Sequence, residues 1–159
     1  MPSNRVDGSE QPTGAADQGR RRALVVSAWI GVVRAHSVVY KHMERAFRAQ
    51  GLTPPQFDVL ATLHRAEGIA QQDLADRMLV TKGNVSAILR VMEGHGWVER
   101  RTDASDARSN LLFLTAASRR LFARVLRDHD RELLALLAPL ADEDLRAVTR
   151  MMAQLAPLP

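Results

Sequence analysis

The 159-residue chain contains no cysteine. That absence excludes disulfides, thiolate catalysis and cysteine-bearing zinc sites together. Aromatic residues are scarce as well, at 4% of the chain: two Trp, one Tyr and four Phe. A core made from this sequence must therefore be filled mainly by Leu, Val, Ala and Met. There is no glycine-rich phosphate loop, no Ser or Cys nucleophile motif and no paired-histidine metal spacing. The His, Asp and Ser residues lie on stretches already explained by packing. The sequence thus gives no reason to expect an enzyme, a catalytic residue, a metal or a cofactor. It also contains no internal repeat.

What is present suits a globular protein. Hydrophobic residues make up 46% and charged residues 25%, and the length fits one domain with a proper core. The formal charge is +4 and the isoelectric point near 10.5, a balance that suits a polyanionic partner without proving one. Residues 1–22 are rich in Gly, Pro, Ser, Gln and Asp and read as a disordered tail. Arg20, Arg21 and Arg22 followed by the apolar run 23–33 imitate a secretory signal. Arg34 and His36 close that run before it can span a bilayer, and no small-x-small cleavage site follows. A cytoplasmic protein without a membrane segment is expected.

Residues 23–50 carry Val25, Trp29, Val32, Val33, Val39, Met43 and Phe47 at helical spacing. The first half of this helix is apolar nearly all round, which calls for a partner on its second side. Thr53 and Gln56 form a capping-box pair with Pro54 at the first helical position. The helix they open carries Phe57, Leu60, Ala61 and His64, and a short helix over 71–78 follows. After residue 115, Phe122, Val125, Leu126, His129, Leu133, Leu136 and Leu137 form another long stripe, broken at Pro139. Acidic Asp142, Glu143 and Asp144 open a last helix with Leu145, Val148, Met152 and Leu155. His36 and His64 fall on apolar faces and are expected as core histidines.

Residues 81–115 organise the chain. Val85, Ile88, Leu89 and Met92 fall at i, i+3, i+4 and i+7, one apolar stripe along a helix. Thr81 can cap it, and Gly94 and Gly96 can take up the turn that ends it. The opposite face holds Thr81, Lys82, Asn84, Ser86 and Arg90, with no carboxylate before Glu93. Residues 97–101 read as a strand, Leu112 and Leu114 alternate in a second, and 102–110 joins them as a hairpin. A polar, basic helix followed at once by a basic hairpin fits a winged helix-turn-helix, with the helix in a major groove and the hairpin in a minor one. Lys82, Asn84 and Ser86 are the expected base or phosphate readers. Thr81 is a cap that also touches phosphate, and Arg100 and Arg101 at the wing base are expected phosphate contacts. A winged helix that binds protein instead of DNA is the alternative.

Gly96-Trp97-Val98-Glu99-Arg100, Asp103 with Asp106-Ala107-Arg108, and Leu112-Phe113-Leu114-Thr115 resemble the wing signature of MarR-type transcriptional regulators. The resemblance extends over about residues 23–155. Ala107, Ala70 and Arg90 depart from the family pattern, standing where an arginine, a capping Ser or Thr, and a carboxylate are common. The resemblance implies a mainly α fold with a small β-wing. It makes 23–159 a single domain, with dimerisation helices over 23–50 and 119–157 and a winged helix-turn-helix over 53–115. It implies a homodimer, a repressor on a pseudo-palindromic double-stranded operator, and Arg108 inserted into a minor groove with Asp106 holding its guanidinium. The missing cysteine removes the thiol-based peroxide sensing some relatives use. Asp58 with Arg90, and Trp29 by approximate position, resemble the ligand set of the urate- and phenolate-responsive branch, which implies a small aromatic anion as effector. A plain ion pair between Asp58 and Arg90 is the structural alternative.

Overall fold

The computed structural model describes residues 13–104 and 110–155. Among them the order is α1 Thr13–Arg48, α2 Pro54–Arg65, β1 Ile69–Ala70, α3 Gln71–Arg77, α4 Lys82–Gly94, β2 Val98–Thr102, β3 Asn110–Leu114, α5 Ala116–Leu137 and α6 Asp142–Leu155. The chain is mainly α with a small β-wing, as expected. It divides into two units, residues 1–38 and 39–159.

In the first unit, helix begins at Thr13 and not at Ala23. The expected tail over 1–22 is corrected for its second half. Ala15, Ala16, Gln18 and Arg20 to Arg22 favour helix, and after Pro12 no proline interrupts the chain until Pro54. Leu24, Val25, Val26, Trp29, Ile30, Val32 and Val33 are 40–69% exposed. With the longer helix, the stretch Ala16–Arg48 is long and apolar enough to cross a bilayer. The apolar run is therefore not too short to span, contrary to expectation.

The second unit holds the core. Met43 and Phe47 come from the end of α1; Phe57, Val59, Leu60 and Leu63 from α2; Leu74 and Ala75 from α3; Val85, Leu89 and Met92 from α4. Leu112 and Leu114 of β3 and Phe122 and Val125 of α5 close it. Three of the seven aromatics meet here: the Phe47 and Phe57 rings stack at 4.4 Å, Phe57 meets Phe122 at 5.6 Å, and His129 stacks on Phe57 at 4.9 Å. At the start of α2, Gln56 Oε1 accepts the Thr53 N–H at 2.8 Å, and Pro54 stands in the first turn.

The strands form one antiparallel sheet in the order β1-β3-β2. In the wing, Val98 pairs with Leu114, Arg100 with Leu112 and Thr102 with Asn110. Strand β1 is absent from the sequence reading, because two residues cannot display alternation. It pairs Ile69 with Leu112 and Ala70 with Leu111. Gly68 makes this approach possible. Its φ is +71°, and a Cβ there would lie 3.2 Å from the Phe113 ring.

Two expectations about histidines are corrected. His36 and His64 are both exposed. His64 sits at the rim of the core, its ring 5.0 Å from that of Phe122. His36 lies on a stretch of α1 whose residues are all exposed. Helix α6 has no buried residue, although Leu145, Val148, Met152 and Leu155 form a stripe.

Candidate nucleic-acid interface

Helix α4 is placed by its apolar stripe. Val85, Leu89 and Met92 are fully buried and Ile88 is partly so, which fixes the rotation of the helix about its axis. The opposite face then points outward by geometry alone. Lys82, Asn84 and Arg90 are exposed on it and Ser86 is half-buried. Thr81 is the N-cap: its hydroxyl oxygen accepts the Asn84 N–H at 3.3 Å. The helix ends at Gly94, and Gly96 turns the chain into β2 with φ of +66°. This turn carries Trp97 and Val98 straight into the wing.

The base of the wing is tied to the helix-turn-helix through side chains. Arg100 donates from Nε to Glu93 Oε1 at 2.5 Å, so the one carboxylate on α4 is neutralised. The same guanidinium donates to Gln71 Oε1 at 3.1 Å. Gln71 Nε2 donates to Ser86 Oγ at 2.6 Å, and Ser86 donates to the Lys82 carbonyl at 2.9 Å. Arg101 faces the other side of the ribbon. It pairs with Glu99, and its guanidinium lies 4.4 Å from the centre of the Phe113 ring. Beneath the wing, Glu67 accepts the Leu114 N–H at 2.9 Å and pairs with Arg119 at 2.7 Å. Burial raises the Glu67 carboxyl, but hydrogen bonds from Arg119 and Leu114 and the charges of Arg119 and Arg101 outweigh it and hold the group below its usual range. Asp106 and Arg108 lie outside the described residues.

The structure does not pair the expected Asp58 and Arg90. Trp29 is exposed on α1 in the first unit. Asp58 and Arg90 make no ion pair, and the charge that bears on Asp58 is that of His129 on α5. Burial raises the Asp58 carboxyl, and His129 pulls it partly back. Asp58 sits one turn into α2, facing α5 and the end of α3, whereas Arg90 stands on the outer face of α4; that separation is why the pair does not form. Asp58 instead lines a cavity of about 240 Å³ with Ala61, Thr62, Arg65, Arg77 and Met78. Among the described residues no group of His, Asp and Glu is arranged to hold a metal ion. Sequence reasoning missed Gln71 and Glu67, because their partners are distant along the chain, and missed Arg65 and Arg77, which only the fold brings to one cavity.

Residues 50–109 match the model of the MarR family. An HTH-type transcriptional repressor of Mycobacterium bovis is 33% identical over 122 residues, covering 74% of this chain and 88% of its own. The structure of the transcriptional repressor CouR bound to a 23-mer DNA duplex superposes with a TM-score of 0.74 at 30% identity, over 79% of this chain and 89% of that one. A mutant of MarR from E. coli complexed with operator DNA gives a TM-score of 0.77 over 84% of this chain and 96% of that one. At 18% identity, that likeness speaks for the fold alone. These relatives are named as regulators of transcription and not as enzymes. The chain belongs to the MarR family of winged helix-turn-helix, DNA-binding transcriptional regulators.

Proposed function

We propose that the protein is a homodimeric repressor that holds a pseudo-palindromic operator and leaves it when a small aromatic anion binds. The observation that carries this reading is the outward face of α4, with Lys82, Asn84 and Ser86 presented beside a basic wing. Lys82, Asn84 and Ser86 enter a major groove, and the Thr81 hydroxyl, already a cap, touches a phosphate with its proton. Arg100 and Arg101 lie against the backbone, and Arg108, its guanidinium held by Asp106, enters the minor groove, where a narrow A·T-rich tract concentrates negative potential. Two relatives of 30% identity or more are named repressors, which supports that sign of regulation. A repressor of this class works in the cytoplasm.

The test is a salt titration on a palindromic duplex obtained by selection from random DNA. Affinity should fall steeply with salt, and Lys82→Ala should flatten the logarithmic slope by about one per protomer. Salt-independent binding, or none to any duplex, would favour a protein-binding winged helix. For the effector, the cavity beside Asp58 supplies Arg65 and Arg77 as cations for a carboxylate or phenolate. Trp29 and Arg90 are the further residues that the resemblance suggests for testing. Urate and salicylate should release DNA from the wild type. Weakened release in Arg65→Ala or Arg77→Ala, against Arg90→Ala, tells which arginine holds the anion.

A further inference from the structure

The network joining Ser86 to the wing has a chemical polarity that bears on base recognition. Arginine has only donors, so the part of the Gln71 amide facing Arg100 must be its carbonyl oxygen, which accepts at 3.1 Å. Arg100 is held in turn by Glu93 at 2.5 Å. The orientation of the Gln71 amide is thereby fixed, and its NH2 group is aimed at α4. There it donates to Ser86 Oγ at 2.6 Å and, more weakly, to the Lys82 carbonyl at 3.4 Å. The single proton of Ser86 is already donated to that same carbonyl at 2.9 Å. Ser86 Oγ therefore has no proton to offer and one lone pair left.

We propose that Gln71 is a positioning residue for base reading: it fixes Ser86 as a hydrogen-bond acceptor, so that Ser86 recognises an exocyclic amino group. Among base edges in the major groove, only adenine N6 and cytosine N4 are donors. Guanine O6 and N7 and thymine O4 are acceptors and find nothing to bind at Ser86 while the network stands. The inference rests on Ser86 facing the bases, as the outward face of α4 suggests. It adds which atoms of the base Ser86 can accept, and it assigns the cause to a residue on a different helix. The wing base takes part through Arg100, whose remaining N–H donors are free to reach a phosphate.

The experiment uses the full chain and the duplex selected by the wild type. At each base of a half-site, an analogue is introduced in which hydrogen replaces the exocyclic amino group. At one position the analogue should weaken wild-type binding about fivefold, the value of one hydrogen bond. Ser86→Ala should bind the natural and the analogue duplex alike. Gln71→Met keeps the length of the side chain and removes both polar atoms, freeing Ser86 to rotate and donate. That variant should lose most of the discrimination while melting within a few degrees of wild type. If Ser86→Ala leaves every analogue effect unchanged, Ser86 does not read a base and the proposal falls. If Ser86→Ala abolishes an effect that Gln71→Met retains in full, Gln71 does not set the polarity, and the proposal falls as well.

Discussion

At the scale of single residues, two carboxylates carry opposite consequences for pH. Glu67 is held below its usual range by Arg119 and the Leu114 N–H, so it binds fewer protons folded than unfolded. Its stabilisation is present above the ordinary carboxylate value of 4.5 and is lost as pH falls through the lower folded value. Glu67→Gln should cost about 1 kcal/mol at pH 7, a figure reduced because Arg119 is half-exposed. The gap between variant and wild type should close in acid. Partial desolvation raises the Asp58 carboxyl although the residue as a whole is exposed, so ionising it opposes folding only slightly at neutral pH. Asp58→Asn should therefore stabilise at pH 7, with the gain vanishing as pH falls toward the unfolded value of 3.8. Denaturant melts at several pH values check both, and parallel curves for Asp58→Asn and wild type would contradict the second.

At the scale of elements, the turn between α3 and α4 is the strained one. Leu79 has φ of +55° and is 87% exposed, a left-handed conformation without burial to offset it. Asparagine tolerates that region and removes an exposed apolar surface, so Leu79→Asn should stabilise by roughly 0.5–1 kcal/mol. Thermal melts would show it, and a destabilised variant would mean that Leu79 has a partner outside the protomer. Periodicity made α4 legible, because Val85, Leu89 and Met92 repeat along one face and all three are fully buried. The wing was legible for a similar reason, since Leu112 and Leu114 alternate. The start of α1 was not, because Gly14 and Gly19 among polar residues look like a tail, and β1 was not, because two residues have no period. Site residues divide along the same line. Thr81 and Lys82 follow from local position, whereas Gln71 is held by Arg100, 29 residues away, and no spacing rule links them.

At the scale of the whole molecule, the apolar surface left uncovered decides the assembly. In the second unit Leu134 is 74% exposed, Val148 47%, Met151 51% and Leu155 80%, and α6 buries nothing. Such a face is rarely left open in water, and a second copy of the chain would cover it by symmetry. Burying one leucine is worth roughly 1.5–3 kcal/mol, and a two-fold interface counts each position twice. Leu134→Asp should thus raise the dimer dissociation constant by at least about a hundredfold. Wild type should show a melting temperature that climbs with protein concentration, because association stabilises the folded state by mass action. Sedimentation at micromolar concentration measures both the mass and the effect of the variant. DNA affinity should fall as the dimer is lost, since a lone recognition helix contacts half of a palindrome and forfeits the phosphate contacts of the other. A Leu134→Asp protein that stays dimeric and holds the operator as before would move the interface away from α5 and α6. A wild type that remains a folded monomer at every concentration would remove the dimer altogether.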